Sequence, residues 1–181
     1  MTVALPTTYQ NPVLDRDFPD PTVIRASDGW YYAYATQTPH PRTNVQAARS
    51  RDLVAWEYLG EVLPELPRWA RRSPHCWAPD VVEANGRFVL FVSVTADHHT
   101  REELCLAAAV GDSPCGPFTP ADAPLYEGPA RTDIDLQTFR DPATGDCYGY
   151  WGSAGDIVGR RLAPGLLAFD PDSAPTLLLR G

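Results

Sequence analysis

Asp20 is the first residue of the chain whose setting suggests chemistry. It stands between Pro19 and Pro21, in the loop DFPDP that leads into a short β-type run. Each proline fixes its own φ and restricts the residue before it, so the backbone is held on both sides of the aspartate. The spacing predicts a positioned carboxylate that can take up a proton. Aspartate and proline are also ordinary turn residues, and a plain surface turn is the alternative.

His75, His98 and His99 are residues that invite a metal-site interpretation. His98 and His99 are followed by Thr-Arg-Glu-Glu in a stretch that resembles a loop, and we interpret them as solvated surface rather than as metal ligands. The four cysteines are widely spaced and form no C-x-x-C pair, which indicates structural thiols rather than a zinc site or a disulfide framework. We therefore expect neither a metal nor a cofactor.

The composition bounds the class of protein and its partners. The chain has 181 residues, a net charge of −8 and a pI near 4.8. No basic patch would favour the approach of phosphates, so we expect no nucleic acid and no anionic membrane as partner. The first residues lack a basic stretch followed by a long apolar run, and nowhere do eighteen apolar residues follow one another. We expect a cytoplasmic protein that does not associate with membranes.

Short β-type segments recur along the chain with turn signals between them, which is the pattern of an all-β sandwich, barrel or propeller. Nineteen prolines and nineteen aromatic residues agree with many turns and flat apolar faces. We predict strands, in three groups, at 22–26, 30–36, 44–50 and 55–63, then at 80–84, 87–94, 104–111 and near Phe118, then at 134–139, 147–153 and 156–162. The third group loses definition after Leu162.

The order of these segments repeats. Asp28-Gly29 and Asn85-Gly86 occupy matching places, and both predict two-residue type I′ hairpin turns. Repeats of roughly 50 to 60 residues that each form a small antiparallel sheet are typical of propeller blades, and a Greek-key sandwich is the alternative. We place blade one at about 20–63, blade two at about 77–120 and blade three at about 133–181. Since propellers have roughly four to eight blades, three blades require completion.

Several stretches together resemble the first half of glycoside hydrolase family 43. They are NPVL, DFPDPTVIR, DGWYYAYAT, SRDLVAWEYLGEVL, CWAPDVVEANGRFVLFVS, IDLQTF and GYWGS. The resemblance covers nearly the whole chain, and its motifs are specific in combination. It implies a five-bladed β-propeller, of which this chain supplies about three blades. It also implies cleavage of β-D-xylosyl or α-L-arabinofuranosyl linkages with inversion of configuration.

The resemblance further implies a central pocket with three carboxyl groups from different blades. Asp20 takes the place of the general base that deprotonates the attacking water. Asp135 takes the place of the second aspartate, which orients the site and raises the pKa of the general acid. We choose Asp135 over Asp133 because Ile134 keeps the register of the motif. Leu136 departs from the family pattern, in which proline is common at this position.

The third carboxyl group of the family is a general acid, a glutamate in a Glu-Gly-Pro-like motif on blade four. No glutamate follows Glu127 in this sequence. Glu127-Gly128-Pro129 has the right letters but precedes Asp135, so we interpret it as a loop leading into blade three. An inverting glycosidase needs both an acid and a base, and we expect the chain alone to be nearly inactive.

Trp77 and Asp80, in CWAPD, are the substrate-binding candidates that the resemblance implies. Trp77 matches the pocket tryptophan of the family, and its indole face is suited to stacking on a sugar ring. A core tryptophan between blades is the alternative. Asp80 is expected to bind a sugar hydroxyl, or else to cap the turn of its strand.

The sequence is thus identified as part of an inverting glycosidase. We expect a xylo- or arabino-oligosaccharide as ligand, and a second polypeptide or a further copy of the chain that completes the propeller. A copy carries no later glutamate, so only a different chain or a missing segment can supply the acid in its usual setting. The alternative is a catalytically inactive carbohydrate-binding piece of a degenerate propeller.

Overall fold

The computed structural model describes residues 8–39 and 42–181. In chain order its strands are β1 Thr22–Arg25, β2 Tyr31–Ala35, β3 Thr38–Pro39, β4 Arg42–Thr43, β5 Gln46–Ser50, β6 Trp56–Glu61, β7 Cys76–Ala84, β8 Arg87–Val94, β9 Cys105–Gly111, β10 Thr119–Pro120, β11 Ile134–Arg140, β12 Cys147–Ser153, β13 Asp156–Arg161 and β14 Thr176–Leu179. One 3₁₀ turn covers Arg68–Ala70. Within the described residues, no helix is long and apolar enough to cross a membrane.

The strands form three four-stranded antiparallel sheets, and the predicted all-β class is confirmed. Blade one has the strand order β1-β2-β5-β6, blade two the order β7-β8-β9-β10 and blade three the order β11-β12-β13-β14. The strands β3 and β4 form a separate two-stranded antiparallel sheet. The first strands of the three blades lie together, since β7 contacts both β1 and β11. This meeting point of β1, β7 and β11 positions the candidate site.

The two predicted hairpin turns differ in structure. Asn85 and Gly86 have φ values of 53° and 73°, and Ala84 pairs directly with Arg87, as a type I′ turn requires. At the matching place in blade one, Gly29 has a φ of 85°, whereas Asp28 is not left-handed. The Asp28 side chain instead accepts a hydrogen bond from the backbone N–H of Trp30. The type I′ prediction is therefore wrong for blade one, where an aspartate-stabilised turn replaces it.

Blade two is buried on both faces because its central strand alternates between two cores. One core, shared with blade one, contains Phe88, Leu90, Val92 and Val94. The other, shared with blade three, contains Val89 and Phe91 together with Leu136, Trp151 and Phe169. Successive side chains of a strand point to opposite faces, so β8 serves both interfaces. All four cysteines are free thiols, and each packs in one of these cores.

The structure extends the predicted strands at two places. Strand β7 begins at Cys76, before a bulge, and not at Asp80. Blade three has a fourth strand, Thr176–Leu179, where the sequence pattern loses definition. All four residues of this strand are exposed, so it lacks the alternation of apolar and polar residues by which a half-buried strand is recognised.

Candidate active site

Three residues at matching places in the three blades share an unusual backbone conformation. Asp20, Ala78 and Asp135 have φ values of 49°, 44° and 61°. Left-handed conformations are uncommon for residues other than glycine, and they cluster at functional sites. Two of the three positions carry a carboxylate.

The shared conformation belongs to a bulge that repeats in the first strand of every blade. In each blade, three steps along the first strand oppose two steps along the second, which leaves one extra residue in the first strand. The matched segments are 19–22 against 34–36 in blade one, 77–80 against 91–93 in blade two and 134–137 against 150–152 in blade three. The bulge turns the same residue of each blade out of the ladder.

Asp20 is exposed and is held by Thr36, the residue that follows β2. Its Oδ2 accepts a hydrogen bond of 2.9 Å from the Thr36 hydroxyl, whose oxygen in turn accepts one of 2.8 Å from the N–H of Ala78. The N–H of Thr36 donates to the carbonyl of Pro19 at 3.1 Å. The carboxylate is therefore fixed at one oxygen and tied to blade two, while the side chain remains open to solvent.

Asp135 is exposed and lies close enough to Asp20 for the two charges to interact. Its backbone N–H donates a 3.1 Å hydrogen bond to the hydroxyl of Ser93, which is fully buried in blade two. Desolvation, together with the negative charge of Asp20, raises the pKa of Asp135 above its usual range. The carboxylate of blade one thus acts on the carboxylate of blade three through its charge.

Asp133 has a different setting from Asp135, although only one residue separates them. It is fully buried, and its two oxygens accept hydrogen bonds from the N–H of Gly128 at 2.7 Å and from the indole N–H of Trp151 at 2.9 Å. A Cβ on Gly128 would lie 2.6 Å from the Asp133 carboxylate, so glycine is needed there. Asp133 joins the loop before blade three to the core of that blade and is closed to a ligand.

Asp80 lies in β7, which contacts both β1 and β11, and is 2% exposed. Its Oδ1 accepts hydrogen bonds from the Thr22 hydroxyl at 3.0 Å and from the Gln137 amide at 2.9 Å. Its Oδ2 accepts from the backbone N–H of Thr138 at 2.8 Å and from the hydroxyl of the same residue at 2.6 Å. Burial raises the pKa of Asp80, and these hydrogen bonds oppose the rise. The carboxylate connects the first strands of all three blades.

Thr22, Gln137 and Thr138 were not singled out by the sequence. Thr22, Asp80 and Gln137 each follow the left-handed residue of their blade by two positions. This common offset is the signal that aligning the three repeats at the bulge would have revealed.

Trp77 directly precedes the left-handed residue of blade two and is half-buried. Its indole packs against the imidazole of His75, with ring centroids 3.9 Å apart and an interplanar angle of 45°. Burial, followed by the charge of Arg101, lowers the pKa of His75. The neutral imidazole and the indole form an aromatic wall next to the bulge.

Glu127 is engaged by two histidines. Its Oε1 lies 2.8 Å from Nε2 of His99 and 3.3 Å from Nε2 of His98. The hydrogen bond from His99 is the largest cause that lowers the pKa of Glu127. A general acid must be protonated at working pH, which a lowered pKa opposes. The geometry agrees with a loop into blade three rather than with an acid.

Comparison with known proteins identifies the family of the chain. The model of "Glycosyl hydrolases family 43" matches residues 9–174. The chain therefore belongs to glycosyl hydrolase family 43.

Two similar proteins are named as an arabinofuranosidase and a xylosidase. The chain is 35% identical over 85 residues to an extracellular exo-α-(1→5)-L-arabinofuranosidase of Cellvibrio japonicus, which is 44% of this chain and 23% of that protein. It is 33% identical over 91 residues to a xylan 1,3-β-xylosidase of a Vibrio species, which is 48% of this chain and 17% of that protein. The matched segments are small parts of both relatives.

The fold also matches only part of a larger solved structure. The crystal structure of an endo-arabinase from Bacteroides thetaiotaomicron superposes with a TM-score of 0.77 at 24% sequence identity, covering 95% of this chain and 59% of that chain. Three blades of a five-bladed ring would make up about three fifths of it. The predicted partial β-propeller is confirmed.

Proposed function

We propose that this chain carries the water-activating half of the active site of an inverting glycoside hydrolase, which acts on β-xylosyl or α-L-arabinofuranosyl linkages of hemicellulose. The observation that carries the proposal is the pair of exposed carboxylates, Asp20 and Asp135, at the same bulge position of blades one and three. The names of the family relatives support these two sugar classes.

Asp20 has the properties of a general base. Its carboxylate is open to solvent on one side and is oriented on the other by the Thr36 hydroxyl, so that a water molecule can reach it in a fixed direction. Inverting enzymes place the base and the acid about 6.5 to 9.5 Å apart, with the sugar and the water between them. In this proposal Asp20 removes a proton from that water as the water attacks the anomeric carbon.

Asp135 acts on the site through charge and position. Desolvation, and after it the charge of Asp20, raises the pKa of Asp135, and a negative charge at this place also raises the pKa of a nearby acid. Trp77 supplies the apolar wall on which a sugar ring stacks. Asp80 serves as a positioning residue, because its hydrogen bonds go to protein donors from β1 and β11.

The general acid is proposed to come from outside these 181 residues, on a second polypeptide or a further segment. Glu127 is paired with two histidines, and no glutamate follows it in the sequence. A carboxyl group on an additional blade would complete the acid and base pair.

Two apolar surfaces support completion of the ring by further blades. On blade one, an apolar groove is lined by residues that include Val13, Phe18, Val23, Leu53 and Trp56. On blade three, exposed apolar side chains include Phe139, Ile157, Leu177, Leu178 and Leu179. Blade two shows that a blade of this protein buries both of its faces. The outer faces of blades one and three are therefore suited to contact with further sheets.

The second candidate function is carbohydrate binding without hydrolysis. The observation in its favour is that the base and the aromatic wall are present, whereas Glu127, the last glutamate of the sequence, is engaged by His98 and His99. Such a protein would bind xylo- or arabino-oligosaccharides through Trp77 and release them unchanged.

Native and intact mass, measured together with hydrolysis of aryl β-xylosides and aryl α-L-arabinofuranosides, test the proposal. A lone 19.9 kDa chain is expected to show almost no turnover, and an assembly with the completing chain or segment is expected to hydrolyse one of these substrates. Turnover by the lone chain at ordinary enzyme rates, about 1 to 10³ per second, would show that the acid lies within it. Binding without turnover in the complete assembly would favour the second candidate.

A further inference from the structure

We infer that His98, His99 and Glu127 form a binding site for a divalent transition metal such as Zn²⁺. The two histidines lie in the connection between β8 and β9, and Glu127 lies in the connection between β10 and β11. One ligand atom from each residue can be chosen so that all three lie within 4.8 Å of one another. The fold thus brings together residues that are 28 and 29 positions apart.

The distances fit a tetrahedral metal. Zn²⁺ binds histidine nitrogen and carboxylate oxygen at about 2.0 to 2.2 Å, so two ligand atoms of one tetrahedral ion lie about 3.3 Å apart. Nε2 of His98 is 3.3 Å and Nε2 of His99 is 2.8 Å from the same oxygen, Oε1 of Glu127. The distance from His98 equals the separation that one tetrahedral ion requires, and the distance from His99 is shorter, so the His99 or Glu127 side chain would have to move slightly to admit the ion.

The chemical types of the three ligand atoms indicate which metal ions the site would prefer. Two imidazoles and one carboxylate match the donor set of three-ligand zinc sites, in which water or another ligand takes the fourth position. Calcium and magnesium prefer sites made of oxygen ligands. The set therefore favours Zn²⁺ and related transition metals over Ca²⁺ and Mg²⁺.

The site is buried at His99 and open to solvent at His98. The side chain of His99 is 0% exposed, and its ring packs edge to face on that of His98 with centroids 4.5 Å apart. Glu127 is 29% exposed at its side chain and directly precedes Gly128, whose N–H is bound by Asp133. His98, at 61% exposure, leaves an open path for the ion.

The position of the site places the metal beside the candidate active site. The connection that carries His98 and His99 follows Val94, which pairs with Cys76, the residue before Trp77. The connection that carries Glu127 leads into the strand that carries Asp135. The metal would join these two connections at the edge of the ring where the bulges lie.

The test is metal titration of the chain after removal of bound ions with a chelator. Zn²⁺ is added in a calorimeter, and Co²⁺ is added while visible absorption is recorded, because tetrahedral Co²⁺ has a distinctive visible spectrum. We expect one ion per chain, with the Co²⁺ spectrum of a tetrahedral site. His98→Gln and Glu127→Gln are expected to weaken binding at least tenfold, whereas His75→Gln, a histidine outside the cluster, leaves the affinity unchanged.

The expected outcomes separate a metal site from a plain ion pair between Glu127 and protonated histidines. Absence of saturable binding, or equal affinity of the original chain and the His98→Gln variant, would overturn the inference. Because His98 is largely exposed, His98→Gln is expected to fold, and circular dichroism checks that it does. The readout does not depend on hydrolysis, so its failure leaves the roles of Asp20 and Asp135 untouched.

Discussion

The Thr22 hydroxyl of blade one donates a 3.0 Å hydrogen bond to the Asp80 carboxylate of blade two, across 58 positions of sequence. From the opposite side, Gln137 and Thr138 of blade three donate to the same carboxylate. Asp80 therefore joins the strand that follows Asp20 to the strand that carries Asp135, and the spacing of the two candidate catalytic residues depends on it.

Asp80→Ala is expected to destabilise the protein strongly. The substitution leaves the N–H of Thr138 and several side-chain donors without their acceptor, and each unpaired buried polar group costs about 1 to 3 kcal/mol. We expect a loss of about 3 to 5 kcal/mol in the free energy of unfolding, measured with urea. Asp112→Ala is the matched control, because the Asp112 side chain is 85% exposed and its surface pair with Arg87 contributes about 0 to 1 kcal/mol. Equal stabilities of the two variants would exclude the connecting role.

Replacement by asparagine is expected to destabilise the protein at Asp133 but not at Asp135. Asp133→Asn places an amide against the buried donors of Gly128 and Trp151, and we expect it to cost about 1 to 3 kcal/mol. Asp135→Asn alters an exposed side chain and is expected to stay within about 0.5 kcal/mol of the original stability. Thermal and urea unfolding of both variants measure the difference. The assignment of the buried role to Asp133 fails if Asp135→Asn proves the more destabilising.

Asp20→Asn is expected to lower the pKa of Asp135. Desolvation and the Asp20 charge both raise this pKa, so removal of the charge takes away the second cause and leaves the first. In its original state Asp135 holds its proton to a higher pH than an ordinary aspartate, and in the variant it releases the proton earlier. Carboxyl carbon chemical shifts followed by NMR against pH report the change. Asp15→Asn, in the same loop, serves as control, and an unchanged Asp135 titration in Asp20→Asn would mean that the two acids do not face one space.

Thr36→Val is expected to release Asp20 from its fixed orientation. The substitution keeps the shape of the side chain but removes both the donor to Asp20 and the acceptor for the N–H of Ala78. We expect a stability loss of about 1 to 3 kcal/mol and, in the complete assembly, a fall in kcat larger than the change in KM. Thr36→Ser retains the hydroxyl and should restore most of both quantities. If the serine variant behaves like the valine variant, the hydroxyl is not what positions Asp20.

The three sheets could be predicted from the recurrence of strands and turns, because short β-type segments and turn residues such as Asn-Gly are recognised from a few neighbouring residues. The fourth strand of blade three was not predicted, because its residues 176–179 are all exposed and show no burial pattern. In the proposed complete ring these residues would contact another surface. The turn of blade one was predicted wrongly for a similar reason. The Asp28 side chain accepts a hydrogen bond from the N–H of Trp30, and the dipeptide Asp-Gly alone does not predict this bond.

The sequence indicated individual candidate residues of the site but not the hydrogen bonds that connect them. The two flanking prolines drew attention to Asp20, and the family resemblance of its motif drew attention to Asp135. The roles of Asp80 and Glu127 depend on partners more than 25 positions away, which only the packing of the blades brings into contact. The repeat of a left-handed residue at the bulge of every blade is also a property of the backbone, since the residue there is aspartate in two blades and alanine in the third.

The most direct test of the account is the turnover of Asp20→Ala in the complete propeller, compared with Asp15→Ala. A general base contributes about 10² to 10⁴-fold in rate, so kcat for an aryl β-xyloside or α-L-arabinofuranoside should fall by that factor in Asp20→Ala, while oligosaccharide binding persists. Asp15→Ala should keep its original kcat. Near-normal turnover by Asp20→Ala would contradict the assignment of the water-activating carboxylate.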